Sequence, residues 1–460
     1  MSRLLRAALL LSCGLFASMS CKTTRPPDVV IITVDTLRAD HVGAYDERSS
    51  TPRIDAFAST ATLFEHSTAP MPLTRPSHFS MLTSLYPREH GVMNNAMSLP
   101  DTSRTLTEML TDRGYRAAGF VAVRLLGPDS GADQGFDHFE QPVDSRESIA
   151  EEVVSRALDW IDGLATNERF FLWVHLFDPH LPYEPPEEFR GGVPLDRPQI
   201  DWSYLVDVAQ ENDGDIPRAI LEEGKTLYRG EVSYVDHWVG ELLDGLDARR
   251  APDDTFVVFT ADHGECFENG VFFEHADCLW EPGIRIPLIV RYPPMFPAGW
   301  RVSGQTSILD VTPTVLRVVG LEVPEGLSGR ALQDHAQFEN RQVLVQHPFY
   351  QPSAADRRPQ RLETVRSVAG EPTTPVLVGV ERVGLVNREW KYLRVGDEQE
   401  LYSMGPTADE RNNRISERPE VAERMKRLLQ QQLHAHPLLL LDTPEINEEL
   451  LETLRALGYL

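Results

Sequence analysis

The stretch Val29-Val-Ile-Ile-Thr-Val34, followed directly by Asp35, says most about the fold of this chain. It is a continuous apolar, mostly β-branched run of strand length, which is typical of a strand covered on both faces. Similar runs recur at 117–121, 170–176, 255–260 and 287–290. Helical patterns alternate with them at 106–113, 148–164, 228–246 and 309–319, and Thr51-Pro52 predicts another helix start with Thr51 as its cap. This alternation predicts an α/β fold with a large, mostly parallel sheet and helices on both faces.

The pattern changes after about residue 335. Short strand-like segments follow at 342–346, 376–380, 385–394 and 400–402, and amphipathic helices are predicted at 417–433 and 443–460. We therefore predict a main α/β domain at 28–335, a smaller α+β subdomain with an antiparallel sheet at 336–435, and a helical tail at 436–460.

Net charge restricts the partners of this chain. The 460 residues carry a formal charge of -26, which argues against nucleic acid or an anionic membrane surface as the main partner, because both require a basic face. The same charge repels anionic substrates. If the chain acts on such substrates, a local cation is needed, and this favours a bound metal ion.

The first 21 residues resemble an export signal. Arg3 and Arg6 form a positive region, and the apolar run at 7–17 is too short to span a bilayer. Ser18-Met-Ser-Cys21 resembles a lipoprotein cleavage box with Cys21 as the lipidated residue, although Leu10-Leu-Ser-Cys13 matches the box better and leaves a very short apolar region. We predict a lipid-anchored protein of the periplasm or cell envelope, with residues 22–27 as a tether. Simple secretion and an uncleaved anchor remain alternatives.

Two further cysteines, Cys266 and Cys278, remain in the mature chain. An even number of cysteines in an oxidising compartment is compatible with a disulfide. Two unpaired thiols on one loop are an equally good interpretation of the sequence, and zinc-type Cys-x-x-Cys spacing is absent.

Acidic residues follow two of the predicted strands. Asp35 ends the first, and Asp262-His263 ends the strand at 255–260. Asp35 alone is typical of a turn residue, but the carboxyl ends of parallel strands meet at one edge of a sheet, where ligands bind. Two such acidic sites together predict a divalent metal site. Mixed carboxylate and imidazole ligands fit Zn²⁺ or Mn²⁺ at least as well as Ca²⁺.

A known family signature lies between these two sites. Thr74-Arg75-Pro76-Ser77-His78, followed by Ser80-Met-Leu-Thr-Ser-Leu-Tyr-Pro-Arg-Glu-His-Gly91, resembles the signature of the sulfatase family, within the alkaline phosphatase superfamily. In sulfatases, the leading Cys or Ser becomes the formylglycine nucleophile. Thr74 stands in that position here, and His78 stands where Arg is usual. A helix is predicted at 77–84, which places the Thr74 hydroxyl near a helix N-terminus. Because threonine is not a substrate for this conversion, the nucleophile would be an unmodified hydroxyl.

The resemblance extends over about residues 28 to 415, with the landmarks in family order. It implies one divalent metal ion, calcium by resemblance, with Asp35, Thr36, Thr74, Asp262 and His263 as ligands. Thr36 replaces the second Asp that sulfatases usually carry. The resemblance also implies catalytic roles for Thr74, for His78, for His180 in Asp178-Pro-His180 and for His275.

Other residues near these landmarks receive structural roles. His175, inside the strand at 170–176, is expected to be a core histidine with its hydrogen bonds satisfied. Arg38, Asp40 and the segment 228–236 are expected to brace the loops that hold the ligands.

These patterns predict a metal-dependent hydrolase of sulfate or phosphate esters with Thr74 as nucleophile, acting on small-molecule, glycan or lipid-linked anionic esters. One alternative resembles phosphoethanolamine transferases, whose motifs are echoed by Asp35-Thr36-Leu-Arg38-Ala-Asp40-His41 and by Asp262-His263-Gly264 with His275. Those enzymes usually carry transmembrane helices ahead of the catalytic domain. Another alternative is a catalytically decayed surface binding protein.

Overall fold

The structure, a computed structural model, describes residues 25–143, 147–197, 199–347, 364–373, 381–405, 409–441, 450, 451, 453 and 454. The predicted signal segment at 1–21, the first half of the tether and the predicted strand at 376–380 lie outside the described residues, as does most of the predicted helix at 443–460.

A large mixed sheet forms the main part of the molecule. Among the described residues it contains nine strands in the order β10-β2-β11-β7-β1-β5-β3-β4, with β12 paired to β2. Its strands are β1 Asp28–Val34, β2 Thr62–Thr68, β3 Arg116–Val121, β4 His138–Glu140, β5 Phe170–Leu176, β7 Thr255–Ala261, β10 Arg285–Ile286, β11 Leu288–Arg291 and β12 Trp300–Ser307. The predicted α/β class is confirmed, and the five strands from β7 to β4 run parallel.

Strand β1 lies at the centre of the parallel part, between β5 and β7. Every residue of β1, β5 and β7 is buried, as the apolar runs predicted. Val34 pairs with Leu176 on one side and with Ala261 on the other. The residues after these three strands therefore emerge together at one edge of the sheet.

Helices cover the sheet. They are α1 Pro52–Ser59, α2 Thr74–Thr83, α3 Pro87–His90, α4 Leu106–Thr111, α5 Ala150–Asp162, α6 Trp202–Glu211, α7 Arg218–Arg249, α8 Glu281–Ile284, α9 Val311–Val318 and α10 Pro419–Ala435. Short 3-10 turns occur at Ala39–His41, Arg124–Leu126, Pro128–Ser130, Glu187–Phe189, Pro252–Asp254, Ile308–Asp310 and His335–Gln337. No helix in the described part of the chain is long and apolar enough to cross a membrane.

Three helix predictions need correction. Helix α7 begins ten residues before the predicted segment, and α2 begins at Thr74 instead of Ser77. Helix α1 begins at Pro52 as predicted, but the Thr51 hydroxyl does not cap it. It donates to the Asp55 carboxylate and accepts from the Gly43 amide, so it ties the loop at Gly43 to the first turn of α1.

The smaller antiparallel sheet has the order β13-β16-β17-β18, with strands Val343–Gln346, Arg382–Val386, Trp390–Val395 and Glu398–Ser403. Helix α10 packs on it through Val421, Ala422, Met425 and Leu429. Two smaller pairings complete the fold. Strand β14 (Ser367–Val368) joins β15 (Glu371–Pro372) and β6 (Asp215–Ile216), and β8 (Cys266–Glu268) forms a hairpin with β9 (Val271–Glu274).

A buried lysine links this sheet to the main domain. Lys391, on β17, is 0% exposed, and its ammonium group lies 2.5 Å from Glu410, 3.1 Å from the carbonyl oxygen of Leu279 and 3.2 Å from Glu281. A buried charge of this kind is tolerated only while its partners remain. The lysine therefore fixes the smaller sheet against the segment that begins α8.

Replacing Lys391 should show the strength of this link. We expect Lys391→Met to lower the free energy of unfolding by about 3 to 5 kcal/mol, because Glu410 would be left buried without a cation. Urea unfolding checks this. Lys426, whose side chain is 39% exposed, is the matched control, and Lys426→Met should change the value by less than about 0.5 kcal/mol. Adding Glu410→Gln to Lys391→Met should recover part of the loss. Equal stability of Lys391→Met and wild type would contradict the prediction.

Candidate active site

Three predicted metal ligands meet at the edge of the sheet. Ligand atoms of Asp35, Asp262 and His263 all lie within 4.8 Å of one another, and all three residues are 0% exposed. The parallel pairing of β1 with β7 produces this approach, because Asp35 and Asp262 each follow the last residue of a strand. Asp35 and Asp262 therefore lie in one cluster although 226 residues separate them in the sequence.

The donor atoms of this cluster lack other partners. Both carboxylate oxygens of Asp35, the Oδ2 of Asp262, the Nε2 of His263 and the hydroxyl of Thr36 are buried without a hydrogen-bond partner among the described residues. Buried polar atoms are rarely left unsatisfied, and two buried carboxylates repel each other. Oxygen and imidazole donors turned toward one point therefore fit a divalent cation, which would satisfy these atoms and cancel the repulsion.

The loop that carries Thr36 is held by Tyr228. The phenol hydroxyl donates to the carbonyl oxygen of Thr36 (2.8 Å) and accepts from the amide of Arg38 (3.2 Å). Thr36 has a φ of 53°, a left-handed conformation that costs a β-branched residue energy. Arg38 in turn pairs with Asp40 and Glu268. These contacts give Arg38, Asp40 and the Tyr228 segment the bracing role expected for them.

Thr74 is the first residue of α2 and is 1% exposed. The helix lies against the edge that carries Asp262, because the Ser77 hydroxyl donates to the carbonyl oxygen of Asp262 (2.7 Å). His78, one turn after Thr74, donates from Nδ1 to the Thr74 carbonyl oxygen (2.8 Å), and the same nitrogen lies 3.5 Å from Asp262 Oδ2. Thr74 is thereby fixed beside the cluster.

His78 acts on the position of Thr74. Its Nε2 lies 3.2 Å from the hydroxyl of Thr33, which also accepts a hydrogen bond from Trp173. Both ring nitrogens are therefore engaged within the fold, and burial lowers the pKa of His78 to about 3. The ring is neutral and does not replace the positive charge of the signature arginine.

The interpretation of His175 as a satisfied core histidine was wrong. Neither ring nitrogen has a hydrogen-bond partner in the described part of the chain, and Nε2 lies 3.4 Å from Asp35 Oδ2. The pairing of His175 with Thr33, two residues before Asp35, brings the ring there. A histidine one residue before the end of a predicted central strand was the available signal for this position.

His180 and His275 lie beside His263. The His275 ring stacks on His263 with centroids 4.4 Å apart, and the His180 ring meets it edge-on at 5.2 Å. Glu265, which the sequence reasoning did not single out, lies 3.4 Å from His275 Nδ1. Its place directly after Asp262-His263-Gly264 was the signal that could have identified it. The structure thus brings all the predicted site residues into one region.

Burial and charge set the protonation of the site. Burial raises the pKa of Asp35 and of Asp262, and the charge of Asp35 raises the pKa of Asp262 further. Burial lowers the pKa of His180 to about 4. Burial also opposes charge on His275, but the Glu265 carboxylate outweighs it and raises the pKa of His275 above its ordinary value. Without a cation, the ionised forms of Asp35 and Asp262 are therefore unfavourable, whereas the Glu265 carboxylate stabilises the charged form of His275.

The disulfide left open by the sequence is present. Cys266 and Cys278 are bonded, and both are 0% exposed. Gly264, just before this region, has no room for a side chain, because an added Cβ would lie 1.9 Å from the carbonyl oxygen of Pro282. The segment after His263 is therefore held closely against α8.

Comparisons with known proteins agree with this arrangement. The family model described as sulfatase matches residues 27–321. The ulvan-active sulfatase of Formosa agariphila is 24% identical, over 76% of this chain and 70% of that protein. A solved structure of a protein in complex with its substrate D-glucosamine-2-N,6-O-disulfate has a TM-score of 0.72 and 19% identity, covering 90% of this chain and 98% of that one. The phosphonate monoester hydrolase of Agrobacterium radiobacter has a TM-score of 0.69 and 19% identity, covering 92% and 98%.

The fold and the site define an ester hydrolase of the alkaline phosphatase superfamily. Because the family model covers more than half of the chain, the chain belongs to the sulfatase family, whose members are sulfuric ester hydrolases. Sulfatases generally use a divalent metal, and the Asp35, Asp262 and His263 cluster could hold one.

The two carboxylates of the cluster give a prediction about stability. The pKa values of Asp35 and Asp262 are raised in the folded protein. The free energy of unfolding therefore falls as pH rises above the pKa of the unfolded carboxyls, and the protein is destabilised in this way at neutral pH. Asp262→Asn keeps an oxygen acceptor for the amides of Thr36 and His263 but removes a charge. We expect it to raise the melting temperature of the metal-free protein and to abolish stabilisation by added metal.

For wild type, metal at 100 times its Kd should add about 2.7 kcal/mol of stability. Thermal melts with and without chelator, together with elemental analysis, measure both effects. Asp310→Asn is the control, because Asp310 is a buried carboxylate already paired with Arg341. It should lower stability in both conditions and leave the metal content unchanged. Metal stabilisation that persists in Asp262→Asn would argue against the cluster as the metal site.

Proposed function

We propose that this protein is a metal-dependent hydrolase of sulfate or phosphate esters in which the hydroxyl of Thr74 is the nucleophile. The observation that carries the proposal is the placement of Thr74 at the start of α2, tied through His78 to the edge that carries Asp262. The dipole of α2 places partial positive charge at this end of the helix, and this charge favours a bound anionic ester or a developing alkoxide.

The metal would be held by Asp35, Asp262 and His263, with Thr36 and Thr74 completing the ligands. When bound, a divalent ion would neutralise the buried carboxylates, lower the pKa of the Thr74 hydroxyl and polarise the nonbridging oxygens of the ester. We favour Zn²⁺ or Mn²⁺ over Ca²⁺, because the donors include an imidazole and the neutral Thr36 replaces a carboxylate.

The remaining chemistry belongs to the chain's own residues. After the Thr74 hydroxyl has given its proton to water, its oxygen forms a bond to sulfur or phosphorus as the bond to the leaving oxygen breaks. His275 is suited to give a proton to that oxygen, because Glu265 lies 3.4 Å from its other side. His180 lies beside His275 and is suited to contact the ester. Water must then hydrolyse the threonine ester, because an unmodified hydroxyl offers no hemiacetal breakdown.

The relatives support a class of substrate. Those described above include a sulfatase active on ulvan, a protein solved with a disulfated glucosamine and a phosphonate monoester hydrolase. We propose a small-molecule or glycan-linked anionic ester whose reacting atom is sulfur or phosphorus. A threonine ester of phosphorus is the chemically easier intermediate to hydrolyse, so both classes belong in the assay.

The test is turnover of aryl sulfate, phosphate monoester, phosphate diester and phosphonate monoester substrates by purified protein with Zn²⁺, Mn²⁺ or Ca²⁺ added. We expect Thr74→Ala to lower kcat by at least about 10³-fold, since the nucleophile is gone. Asp35, Asp262 and His263 should still hold the metal, although removal of the Thr74 oxygen should weaken its binding. Thr74→Ser, which keeps a hydroxyl, should retain measurable activity.

Thr83→Ala is the matched control for Thr74→Ala. Thr83 ends the same helix and is equally buried; its hydroxyl donates to the carbonyl oxygen of Phe79 and accepts from the amide of Leu85, both local contacts. Its loss should leave kcat within about threefold of wild type. Turnover that survives in Thr74→Ala would remove the proposed nucleophile. Transfer to an added alcohol in place of water would indicate a transferase, and metal binding without turnover would indicate a binding protein.

We also propose that the protein is exported and anchored through a lipid on Cys21. The disulfide supports an oxidising compartment, because such bonds are rare in the reducing cytosol. The polar tether at 22–27 would then separate the anchor from β1.

Fractionation of cells that express the full chain tests the anchor. We expect Cys21→Ala to move the protein from the membrane fraction to the soluble exported fraction, because one lipid-modified cysteine provides the attachment. Cys13→Ala is the control and should leave the protein in the membrane fraction. The opposite pattern would place the lipid on Cys13, and no change in either variant would exclude a cysteine anchor.

A further inference from the structure

The disulfide closes a ring around part of the candidate site. Cys266 and Cys278 are 12 residues apart, and the segment between them contains the β8–β9 hairpin and His275. Glu265 directly precedes one cysteine, and His275 lies three residues before the other. The amide of Cys278 donates to the carbonyl oxygen of His275 (2.8 Å), so a tight turn joins the histidine to the disulfide.

Both members of the Glu265–His275 pair are thereby tied to the same covalent link. Their side chains lie 3.4 Å apart, and both residues are at most 4% exposed. Hairpin pairing alone covers only Cys266–Glu268 against Val271–Glu274, with a register shift after Cys266. His275 itself lies beyond the last strand pair, and the disulfide is the covalent link that joins its turn to the segment of Glu265.

The disulfide is itself anchored from the other side. The two cysteines pack with Trp280, Val345, Val386, Leu393 and Tyr402, which joins them to the smaller sheet. Gly283 leaves room for them, because an added Cβ would lie 2.7 Å from the Cys278 sulfur. Asp277 contacts His347, and Arg382 donates to the Asp277 carbonyl oxygen. These contacts hold both the disulfide and the His275 turn from one side, and the disulfide links that turn covalently to the segment that carries Glu265.

We propose that the Cys266–Cys278 disulfide is a positioning element of the active site, which keeps the Glu265–His275 pair over the metal cluster so that His275 can protonate the leaving group. This inference rests on the proposed function. The disulfide touches none of the reacting atoms. Its loss should therefore impair leaving-group protonation and leave metal binding by Asp35, Asp262 and His263 intact.

The test compares wild type with the variant Cys266→Ser/Cys278→Ser on a series of aryl esters whose phenols differ in acidity. A general acid matters most when the leaving group is poor and contributes about 10²- to 10⁴-fold. We expect the variant to lose at least about 30-fold in kcat on the poorest leaving group and less than about threefold on p-nitrophenol. Metal content, by elemental analysis, should stay at the wild-type value.

A double-mutant cycle with His275→Ala separates positioning from general loss of stability. His275→Ala alone should show the same dependence on leaving group, and adding the two serines should cause little further loss, because both changes remove one function. Arg291→Met is the control for stability. It breaks a partly buried ion pair with Asp247, at the opposite edge of the sheet, and should reduce all substrates' rates equally or not at all.

Three outcomes would overturn the inference: equal losses on good and poor leaving groups, additive effects in the cycle, or a wild-type rate in the serine variant. A crystal structure of that variant provides a test without substrate. We expect the His275 ring to have moved away from Glu265, and an unchanged ring position would also refute the inference. Absence of turnover in wild type with every metal would instead refute the proposed function, while the crystal structure still decides the role of the disulfide.

Discussion

Two buried carboxylates of like charge, Asp35 and Asp262, set the main constraint on this structure. Each follows a central strand, and the parallel pairing of β1 with β7 leaves them no way to separate. Uncompensated charges in such a place cost several kcal/mol each. The fold tolerates them if a cation is bound, and the unpartnered oxygens and the His263 nitrogen are turned to receive one. A bound cation should therefore stabilise this edge of the sheet.

The surrounding residues keep this edge rigid without taking part in the chemistry. Tyr228 fixes the Thr36 loop, His78 fixes the start of α2, and the disulfide fixes the turn that carries His275. These contacts hold the backbone or a neighbouring side chain. Each candidate metal ligand or catalytic group is therefore kept in one orientation. Such support from residues behind the reacting groups is what places them to within fractions of an ångström.

Local pattern predicted the central strands well, because burial on both faces leaves only apolar side chains there. The predicted segment 170–176 coincides with β5, and 255–260 is one residue shorter than β7. Prediction failed where packing outweighs propensity. Gly224 disfavours a helix, yet it lies inside α7. The Phe273 ring packs in the space that a side chain at this position would fill. The helix predicted at 77–84 begins three residues earlier, at Thr74, because Pro76 lies in the first turn, where a missing amide costs no helical hydrogen bond.

The sequence by itself determined the fold class, the family and the identity of Asp35, Thr74, Asp262, His263 and His275 as candidates, because strand-end residues and signature spacing are local properties. Tertiary structure decided which partner each one has. It paired Glu265 with His275, turned His175 toward Asp35 and joined Cys266 to Cys278. Those contacts depend on strand register and on how loops cross the sheet edge, which are set by the packing of the whole chain and cannot be read from any one segment.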